Sequence, residues 1–323
     1  MFYLLCFLIV VYVCYKVSFL IKIGKLHEKY VFITGCDRGF GRLLAVRLDK
    51  LGLHVFAGCL SDKAAAELTE QCSSRLNAIK MDVTKPSEVK NALRLVKKFL
   101  GDKPLWGLVN NAGIQNAVIS FEWNTKDDYQ SVLGVNLFGT IDTTLNFFPL
   151  IRKGKQGRIV NVSSLLGRFA ANASPYVVSK FGVEGFSDGL SKEARVFNVT
   201  VHTIEPGFFR TNFNDGLEEK NMERWKTLPK DIKEDYGEEY LQQTLQMRKR
   251  FADNSSEQFD LVVDAMAHAL TAKYPKERYV IGDDAKYFFV PLSYLPCKLQ
   301  IWILEYRRKQ KKIKFPQPAC TEK

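Results

Sequence analysis

The residues with the clearest chemical potential are Tyr176 and Lys180, which lie in the run Ser174-Pro-Tyr-Val-Val-Ser-Lys-Phe. Side chains four positions apart on a helix share one face, so these two would lie close together. A free tyrosine, with a pKa of about 10, is a poor base at neutral pH, but a neighbouring ammonium favours the tyrosinate. The pair could therefore act as a general acid and base, although two such residues on a solvated helix are commonplace.

The elements that would position this pair can be predicted from the hydrophobic pattern. From Lys29 onward, short and nearly continuous apolar runs alternate with helical patterns, which is typical of a parallel sheet covered on both faces. We therefore predict an α/β fold of the Rossmann type, with a doubly wound, mostly parallel seven-stranded sheet and helices on both faces. The predicted strands are Tyr30–Thr34, His54–Gly58, Ala78–Met81, Gly107–Asn110, Arg158–Val162, Thr200–Ile204 and Arg278–Ile281.

The first predicted strand runs directly into Thr34-Gly35-Cys36-Asp37-Arg38-Gly39-Phe40-Gly41, and a helical pattern begins at Arg42. Glycines at such a turn let backbone N–H groups approach a pyrophosphate at the N-terminus of the helix. The position straight after the first strand of an α/β chain favours a dinucleotide-binding turn.

The spacing Gly-x-x-x-Gly-x-Gly and the motifs after it resemble the short-chain dehydrogenase/reductase family. The other family motifs occur in order over roughly residues 29 to 285: Asp82-Val83, Asn110-Asn111-Ala112-Gly113, Asn136, Ser164, Tyr176-x-x-x-Lys180 and Glu205-Pro206-Gly207. Three runs resemble the membrane-bound retinol and hydroxysteroid dehydrogenase branch, which also contains D-3-hydroxybutyrate dehydrogenases. They are Gly-Cys-Asp-x-Gly-Phe-Gly, Leu105-Trp-Gly-Leu-Val-Asn-Asn-Ala-Gly and Ser179-Lys-Phe-Gly-Val-Glu.

The resemblance implies roles for four side chains in hydride transfer between an alcohol carbon and a nicotinamide. Tyr176 would exchange the proton of the substrate oxygen, and Lys180 would lower the pKa of Tyr176 and bind the nicotinamide ribose. Ser164 would hold the substrate oxygen, and Asn136 would position a water that relays protons to Lys180. The implied cofactor-binding residues are Gly35, Asp37, Arg38, Gly39, Phe40, Gly41, Asp82, Val83, Asn110, Ala112, Gly113, Tyr176, Lys180, Pro206, Gly207 and Thr211.

Each of these side chains also has a structural interpretation. Ser163 and Ser164 could cap a helix, and Asn136 could be a hydrogen-bonded core amide. The Asn-Asn-Ala-Gly turn could simply end a strand. The separation of Ser164 from Tyr176 resembles the spacing in the branch and favours Ser164 over Ser163. All four candidate catalytic residues together favour an enzyme over a silent scaffold.

The choice between NAD and NADP depends on the end of the second predicted strand. In NAD enzymes an acid there binds the ribose hydroxyls, but Cys59 holds that position and the nearest acid is Asp62. Arg38 could bind a 2′-phosphate through two hydrogen bonds, which favours NADP. Many members of the resembled branch use NAD without the strand-end acid. We expect NAD or NADP, with a slight preference for NAD.

Residues 1–21 are almost wholly apolar, and about 20 such residues can span a bilayer. No basic residue precedes the apolar stretch and no small-x-small cleavage site follows it, which favours an uncleaved anchor over a signal peptide. The lysines on its C-terminal side favour a cytosolic catalytic domain, and the resemblance suggests the endoplasmic reticulum. Because Lys16 interrupts the apolar run, an interfacial or tilted segment is the alternative.

The net charge of +12 is concentrated after the apolar N-terminus and in the stretch Arg307–Lys314. Basic clusters beside apolar segments favour anionic lipid over nucleic acid as the partner. The apolar and polybasic residues 286–323 therefore form a second candidate membrane contact. Seven cysteines without a CxxC pair, and four scattered histidines, predict neither a disulfide framework nor a metal site.

We therefore expect a membrane anchor at 1–21, a dehydrogenase domain at 29–285 and a tail at 286–323. Residues 213–260 are charged and helix-prone, which favours a substrate lid, with a peripheral helical hairpin as the alternative. The expected activity interconverts a hydrophobic small molecule, a retinol- or hydroxysteroid-type alcohol, and its carbonyl. A D-3-hydroxybutyrate-type dehydrogenase and a silent dinucleotide-binding scaffold are the alternatives, and a homo-oligomer is compatible with the family.

Overall fold

A computed structural model of the protein describes residues 3, 7, 10, 17–115, 120–154, 156–210, 216–253 and 255–310. Within these residues seven strands form one sheet: β1 (Tyr30–Thr34), β2 (His54–Cys59), β3 (Leu76–Lys80), β4 (Gly107–Asn110), β5 (Arg158–Val162), β6 (Thr200–Pro206) and β7 (Arg278–Ile281). Their order is β3-β2-β1-β4-β5-β6-β7, and every neighbouring pair runs parallel. The predicted Rossmann-type fold is confirmed. Its strand order reverses beside β1, where such sheets bind ligands at the carboxyl ends of the strands.

The helices between the strands lie mostly on the two faces of the sheet. They are α1 (Gly39–Lys50), α2 (Asp62–Gln71), α3 (Pro86–Leu100), α4 (Lys126–Leu133), α5 (Gly139–Arg152), α6 (Pro175–Ala194), α7 (Leu217–Thr227), α8 (Lys230–Asp253) and α9 (Phe259–Thr271). Two more, α10 (Val290–Ser293) and α11 (Cys297–Gln310), follow β7. One turn of π-helix, Gly134–Phe138, joins α4 to α5.

Alternate residues of the strands supply the two halves of the core. In β1, Val31 and Ile33 pack with α1 and α9, whereas Phe32 packs on the other face with α3 and α5. All three side chains are fully buried, and each contributes about 1.5–3 kcal/mol by leaving water. The carboxyl ends of the strands, where the candidate active-site residues lie, are therefore supported by a packed core on both faces of the sheet.

Strand bounds agree with the prediction for β1, β4, β5 and β7, and differ for the others. β3 is Leu76–Lys80 instead of Ala78–Met81. It begins earlier because Leu76 pairs with Val55, although polar Asn77 interrupts the apolar run, and it ends one residue before Met81. β2 extends to Cys59 and β6 extends to Pro206, so that both reach the carboxyl edge of the sheet.

The α7–α8 insertion, residues 216–253, has a small core of its own. Trp123, from the segment between β4 and α4, is buried there against Trp225 and Tyr240, together with Leu241 and other apolar side chains. Gly237, with a φ of 72°, breaks α8 into two helical parts. The insertion thus packs mainly on the segment around Trp123, not on the sheet.

The segment after the predicted anchor is tied to the amino-terminal edge of the sheet. Lys22 forms an antiparallel bridge with Ala272, and Ile23 N donates to Thr271 O at 2.8 Å. Among the residues that the structure describes, no helix combines the length and apolar character that crossing a membrane requires. Most of the predicted anchor, residues 1–21, lies outside the described residues, as does the end of the predicted tail after residue 310.

Candidate active site

The N-terminal turns of α6 position Tyr176 and Lys180. Pro175 occupies the first helical position, and the Ser174 hydroxyl caps the helix by accepting from Val177 N at 3.4 Å. The Lys180 Nζ lies 5.6 Å from the centroid of the Tyr176 ring and donates to Val162 O, at the end of β5, at 2.8 Å. The helix therefore brings the pair together at the carboxyl edge of the sheet.

The two serines after β5 have different surroundings. The hydroxyl of Ser164 is hydrogen-bonded to that of Tyr176, and it also accepts from Leu166 N at 3.1 Å. The Ser163 hydroxyl instead donates to Lys180 O at 3.4 Å, behind the pair. Ser164 is thus the serine that faces the tyrosine hydroxyl, and it caps a short turn as well.

Burial opposes the charged forms of both members of the pair. It raises the pKa of Tyr176 to about 12, and the hydrogen bond from Ser164 only partly offsets this. Burial also lowers the pKa of Lys180 to about 8, against an opposing attraction from Glu184. Burial is therefore the largest influence on the pKa of Tyr176 at this site, and the expectation that Lys180 lowers this pKa stays a prediction.

Asn136 lies in the π-helical turn and is almost fully buried. Its Oδ1 accepts from Ile114 N at 2.8 Å, and its Nδ2 donates to Ile114 O and to the Ser179 hydroxyl, each at 2.9 Å. Asn136 thereby joins α6 to the segment after β4. A Cβ on Gly113 would lie 3.4 Å from Asn136 Oδ1 and 3.8 Å from Lys180 Nζ, so this glycine leaves space beside the lysine.

The turn between β1 and α1 fits a dinucleotide. Gly35 has a φ of 70°, and a Cβ there would lie 2.8 Å from Ala112 Cα, so the turn packs directly on the segment after β4. Gly39 has a φ of 63° and open space beside it. The N-cap residue Arg38 cannot accept a hydrogen bond, so its side chain does not cap the first N–H groups of α1. Such a helix end suits a pyrophosphate. Gly41 would clash with Gly35 O if it carried a Cβ.

Several residues predicted to bind the cofactor make hydrogen bonds or packing contacts within the protein, near the carboxyl ends of the strands. The Asp37 carboxylate accepts from Leu60 N at 2.8 Å and from Ser61 N at 3.0 Å, which fixes the end of β2. The Asp82 carboxylate accepts from Thr84 N and its hydroxyl, and Val83 is buried. The Asn110 amide points into the core, where it donates to Thr144 and Asn161. Phe40 packs edge-to-face on Phe209 and Phe259.

Two residues that belong to the sequence motifs, but were not among the predicted site residues, hold the glycine turn to the segment after β4. The Asn111 amide donates to Thr34 O and Gly35 O, each at 3.0 Å. The Thr34 hydroxyl accepts from Asn111 N and Ala112 N, also at 3.0 Å. Thr34 could have been found from the sequence, because it is a polar side chain at the end of the otherwise apolar strand β1.

The end of β6 is shaped by a residue from beyond β7. Asp284 Oδ2 accepts from Phe208 N at 2.8 Å, and a Cβ on Gly207 would clash with the same carboxylate. Pro206, the last residue of β6, is buried beside this turn. Asp284 was not predicted from the sequence, and Thr211, which was, lies outside the described residues.

A dinucleotide-binding α/β sheet with a partly buried tyrosine and a buried lysine at its carboxyl edge is typical of a nicotinamide-dependent oxidoreductase. The family model for short chain dehydrogenases matches residues 29–222, more than half of the chain. The chain belongs to the short-chain dehydrogenase family. It is accordingly an oxidoreductase that acts on CH–OH groups, with NAD or NADP as the hydride carrier.

Characterised relatives extend over most of the chain. It is 48% identical over 284 residues to 17-beta-hydroxysteroid dehydrogenase type 6 of Homo sapiens, covering 87% of this chain and 89% of the relative. It is 45% identical over 279 residues to retinol dehydrogenase 16 of Rattus norvegicus, covering 86% and 88%.

Solved structures of the family share the fold at low sequence identity. A short chain dehydrogenase from Burkholderia cenocepacia J2315, in complex with NADP, has a TM-score of 0.61 and 20% identity, covering 85% of this chain and 97% of that one. One from Burkholderia phymatum, in complex with NAD, has a TM-score of 0.64 and 19% identity, covering 91% and 98%.

Proposed function

We propose that the protein interconverts a hydroxysteroid- or retinol-type alcohol and its carbonyl, with Tyr176 as the general acid and base. The observation that carries this proposal is the contact of the Tyr176 and Ser164 hydroxyls beside buried Lys180. Two hydroxyls that face one point can hold a substrate oxygen while one of them exchanges its proton.

The residues of this chain would divide the chemistry as follows. Ser164 holds the substrate oxygen near Tyr176, and Tyr176 gives its proton to a carbonyl or takes one from an alcohol. The Lys180 ammonium stabilises negative charge on the Tyr176 oxygen while that proton is away. Asn136 fixes α6 through Ser179 and so supports the position of Lys180. The bound nicotinamide supplies or accepts the hydride.

A lipophilic substrate is supported by the aromatic side chains at this edge. Phe289 lies with its ring centroid 5.4 Å from that of Phe169 and 5.8 Å from that of Phe208. Phe169 follows Ser164 by five positions and Phe208 directly follows Gly207, so both belong to segments that leave the carboxyl edge of the sheet. The names of the two relatives point to the same substrate class. The α7–α8 insertion would cover the site as a lid.

We also propose that the protein acts at a membrane, with the endoplasmic reticulum as the expected location. The apolar residues 1–21 and the lysines after them support this. At the other end of the chain, α11 exposes Ile301, Trp302 and Tyr306 to solvent, at 50%, 61% and 54%. Aromatic residues beside basic ones are typical of an interfacial helix.

A substrate panel with both cofactors tests the proposed activity. Purified protein in detergent or vesicles is assayed with retinol, hydroxysteroids and D-3-hydroxybutyrate, each with NAD and with NADP. We expect turnover of the lipophilic alcohols and little of D-3-hydroxybutyrate. Turnover of D-3-hydroxybutyrate alone would favour the second dehydrogenase type, and cofactor binding without any turnover would favour the silent scaffold.

A further inference from the structure

The face of α6 that carries Tyr176 and Lys180 continues with two acids at the same spacing. Glu184 follows Lys180 by one helical turn, and Asp188 follows Glu184 by another. Side chains on a helix lean toward its N-terminus, so Glu184 leans toward Lys180 and Lys180 toward Tyr176. Glu184 is 6% exposed and Lys180 is 4% exposed, whereas the side chain of Asp188 is 58% exposed.

Glu184 belongs to a buried group of charges drawn from three neighbouring elements. Arg278 of β7 donates to Glu184, to Asp188 and, at 2.5 Å, to Glu205 of β6. Glu205 is fully buried and also accepts from Arg168 at 3.4 Å. The two buried carboxylates thus face two guanidinium groups.

Close packing surrounds Glu184 and the backbone of Lys180. A Cβ on Gly167 would lie 2.9 Å from Glu184 Cγ and 2.9 Å from Lys180 O, so the turn after β5 presses on both residues. The Ser163 hydroxyl, which contacts Lys180 O, also faces the Glu184 carboxylate. Glu184 therefore has little room to move on the helix face that it shares with Lys180, while its carboxylate binds Arg278 and the Lys180 ammonium binds Val162 O.

We propose that Glu184 is a positioning residue for the reaction, whose carboxylate keeps the buried Lys180 ammonium charged and directed at Tyr176. This inference rests on the proposed role of Lys180. A buried ammonium is stable only if an opposite charge compensates for lost hydration, and Glu184 is the carboxylate on its own helix face. Arg278 keeps Glu184 ionised in turn.

The surrounding charges fix the sign of the expected effect. Burial raises the pKa of Glu184, and Glu205 raises it further, whereas Ser163 and Arg278 lower it. Burial lowers the pKa of Lys180 to about 8, and Glu184 opposes that shift. Neutralising Glu184 would therefore let Lys180 lose its proton at a lower pH, while Tyr176 stays protonated in that range.

The test is the pH dependence of two quantities in the full chain: the Kd of NADH, or of NADPH if that cofactor is preferred, and kcat/KM for an alcohol from the panel. In Glu184→Gln, we expect the alkaline loss of both to begin about one pH unit lower than in the wild type. Asp188→Asn is the matched control, because it breaks an ion pair with the same Arg278 on the exposed side. Its profile should match that of the wild type.

Three results would overturn the inference. Equal profiles for Glu184→Gln and Asp188→Asn would make Glu184 merely structural. If the Kd of NADH still rises at alkaline pH in Lys180→Met, the titrating group is not Lys180. If Glu184→Gln does not fold, Glu184→Asp must show a smaller shift of the same sign, and no shift would count against the inference. The Kd readout needs no substrate, so a failed substrate panel contradicts the proposed activity without deciding the role of Glu184.

Discussion

The carboxyl edge of the sheet and the α7–α8 insertion are stabilised in different ways. At the edge, side chains from β1, α6, the π-helical turn and the segment after β4 make hydrogen bonds that are buried or nearly so, such as Asn136 to Ser179 and Lys180 to Val162 O. The insertion is held by aromatic packing on Trp123 and by Arg224, which donates to both oxygens of Asp128 at 2.9 and 2.8 Å.

This difference suits the two regions to different tasks: the edge can hold reacting groups in fixed positions, and the insertion can adapt to a substrate. Buried hydrogen bonds fix the directions of groups and are costly to leave unmade, which suits a proton-transfer site. A small apolar core that is joined to the rest of the molecule by one partly buried ion pair and by hydrogen bonds such as that from Tyr236 to Glu122 is expected to open more easily than the sheet, which suits a cover over a bulky substrate. Mutations in the two regions should therefore affect different kinetic constants.

The largest effect is expected from Tyr176→Phe, which removes the acid and base while keeping the ring. Turnover should fall about 10²- to 10⁴-fold, because proton transfer by a positioned side chain contributes that much. The Kd of the cofactor should change little, because the phenyl ring preserves the packing. Steady-state kinetics and fluorescence titration check both points. Activity equal to the wild type would contradict the proposed mechanism.

Trp123→Ala is expected to loosen the insertion and leave the edge in place. Truncating a buried tryptophan costs about 3–5 kcal/mol of local packing, and Trp123 is 1% exposed. We expect KM for a bulky alcohol to rise about tenfold with a smaller change in kcat, and limited proteolysis to cut faster within residues 216–253.

Phe99→Ala is the matched control for this change, because Phe99 is a half-exposed aromatic residue on α3, outside the insertion and the proposed membrane contacts. It should leave KM and the proteolysis pattern unaltered. A large fall in kcat for Trp123→Ala with unchanged KM would mean that the insertion is part of the precise site, and the contrast between the regions would not hold.

Lys180→Met tests whether the buried charge of Lys180 lowers the free energy of unfolding. Burial lowers the pKa of Lys180 from 10.5 to about 8, so the unfolded chain binds a proton between these values that the folded protein has released. Stability from this group therefore rises with pH across the window, and at neutral pH the folded state bears the full cost, about 3 kcal/mol.

We expect the difference in unfolding free energy between Lys180→Met and the wild type to change by about that amount from pH 7 to pH 10.5, in favour of the wild type at high pH. Urea denaturation at several pH values measures it. Lys192→Met, exposed near the end of the same helix, is the control and should show a constant difference. A constant difference for Lys180→Met as well would show that its charge is not costly here.

The sequence predicts the fold and the position of the edge well, because both follow from strong local signals. Apolar runs mark the strands, and Tyr176 and Lys180 share a helix face through their spacing alone. The partner of each polar group is harder to predict. Asn110 points into the core and Asn111 holds the glycine turn, although they are adjacent residues of one type. Successive strand residues point to opposite sides, so a shift of one position exchanges their roles.

Contacts between distant segments and the effect of burial could not be read from the sequence. Trp123 meets Trp225 across about a hundred residues, and no local pattern indicates that pairing. The pKa of Tyr176 depends on how deeply folding buries it, and the spacing to Lys180 carries no information about that depth.

The smallest effect on kinetics is expected from substitution of Arg38, the exposed N-cap residue of α1. Asp37 is bound to Leu60 N and Ser61 N, and Asp62 pairs with Lys80 at 2.6 Å, so both nearby acids are occupied. Arg38→Ser should therefore lower the preference for NADP over NAD by about tenfold, because a charge-assisted bond to an exposed 2′-phosphate is expected at the lower end of the range of about 1.5–3 kcal/mol.

The ratio of kcat/KM with NADP to kcat/KM with NAD measures this effect. Arg42→Ser is the matched control, because it removes an equal charge from the same helix, where Arg42 binds Gln71 at 3.2 Å. If both variants lower the ratio equally, the general positive potential of the helix end attracts the phosphate. An unchanged ratio in Arg38→Ser would show that Arg38 does not discriminate between the cofactors. The discrimination would then depend on the backbone around Cys59, at the end of β2.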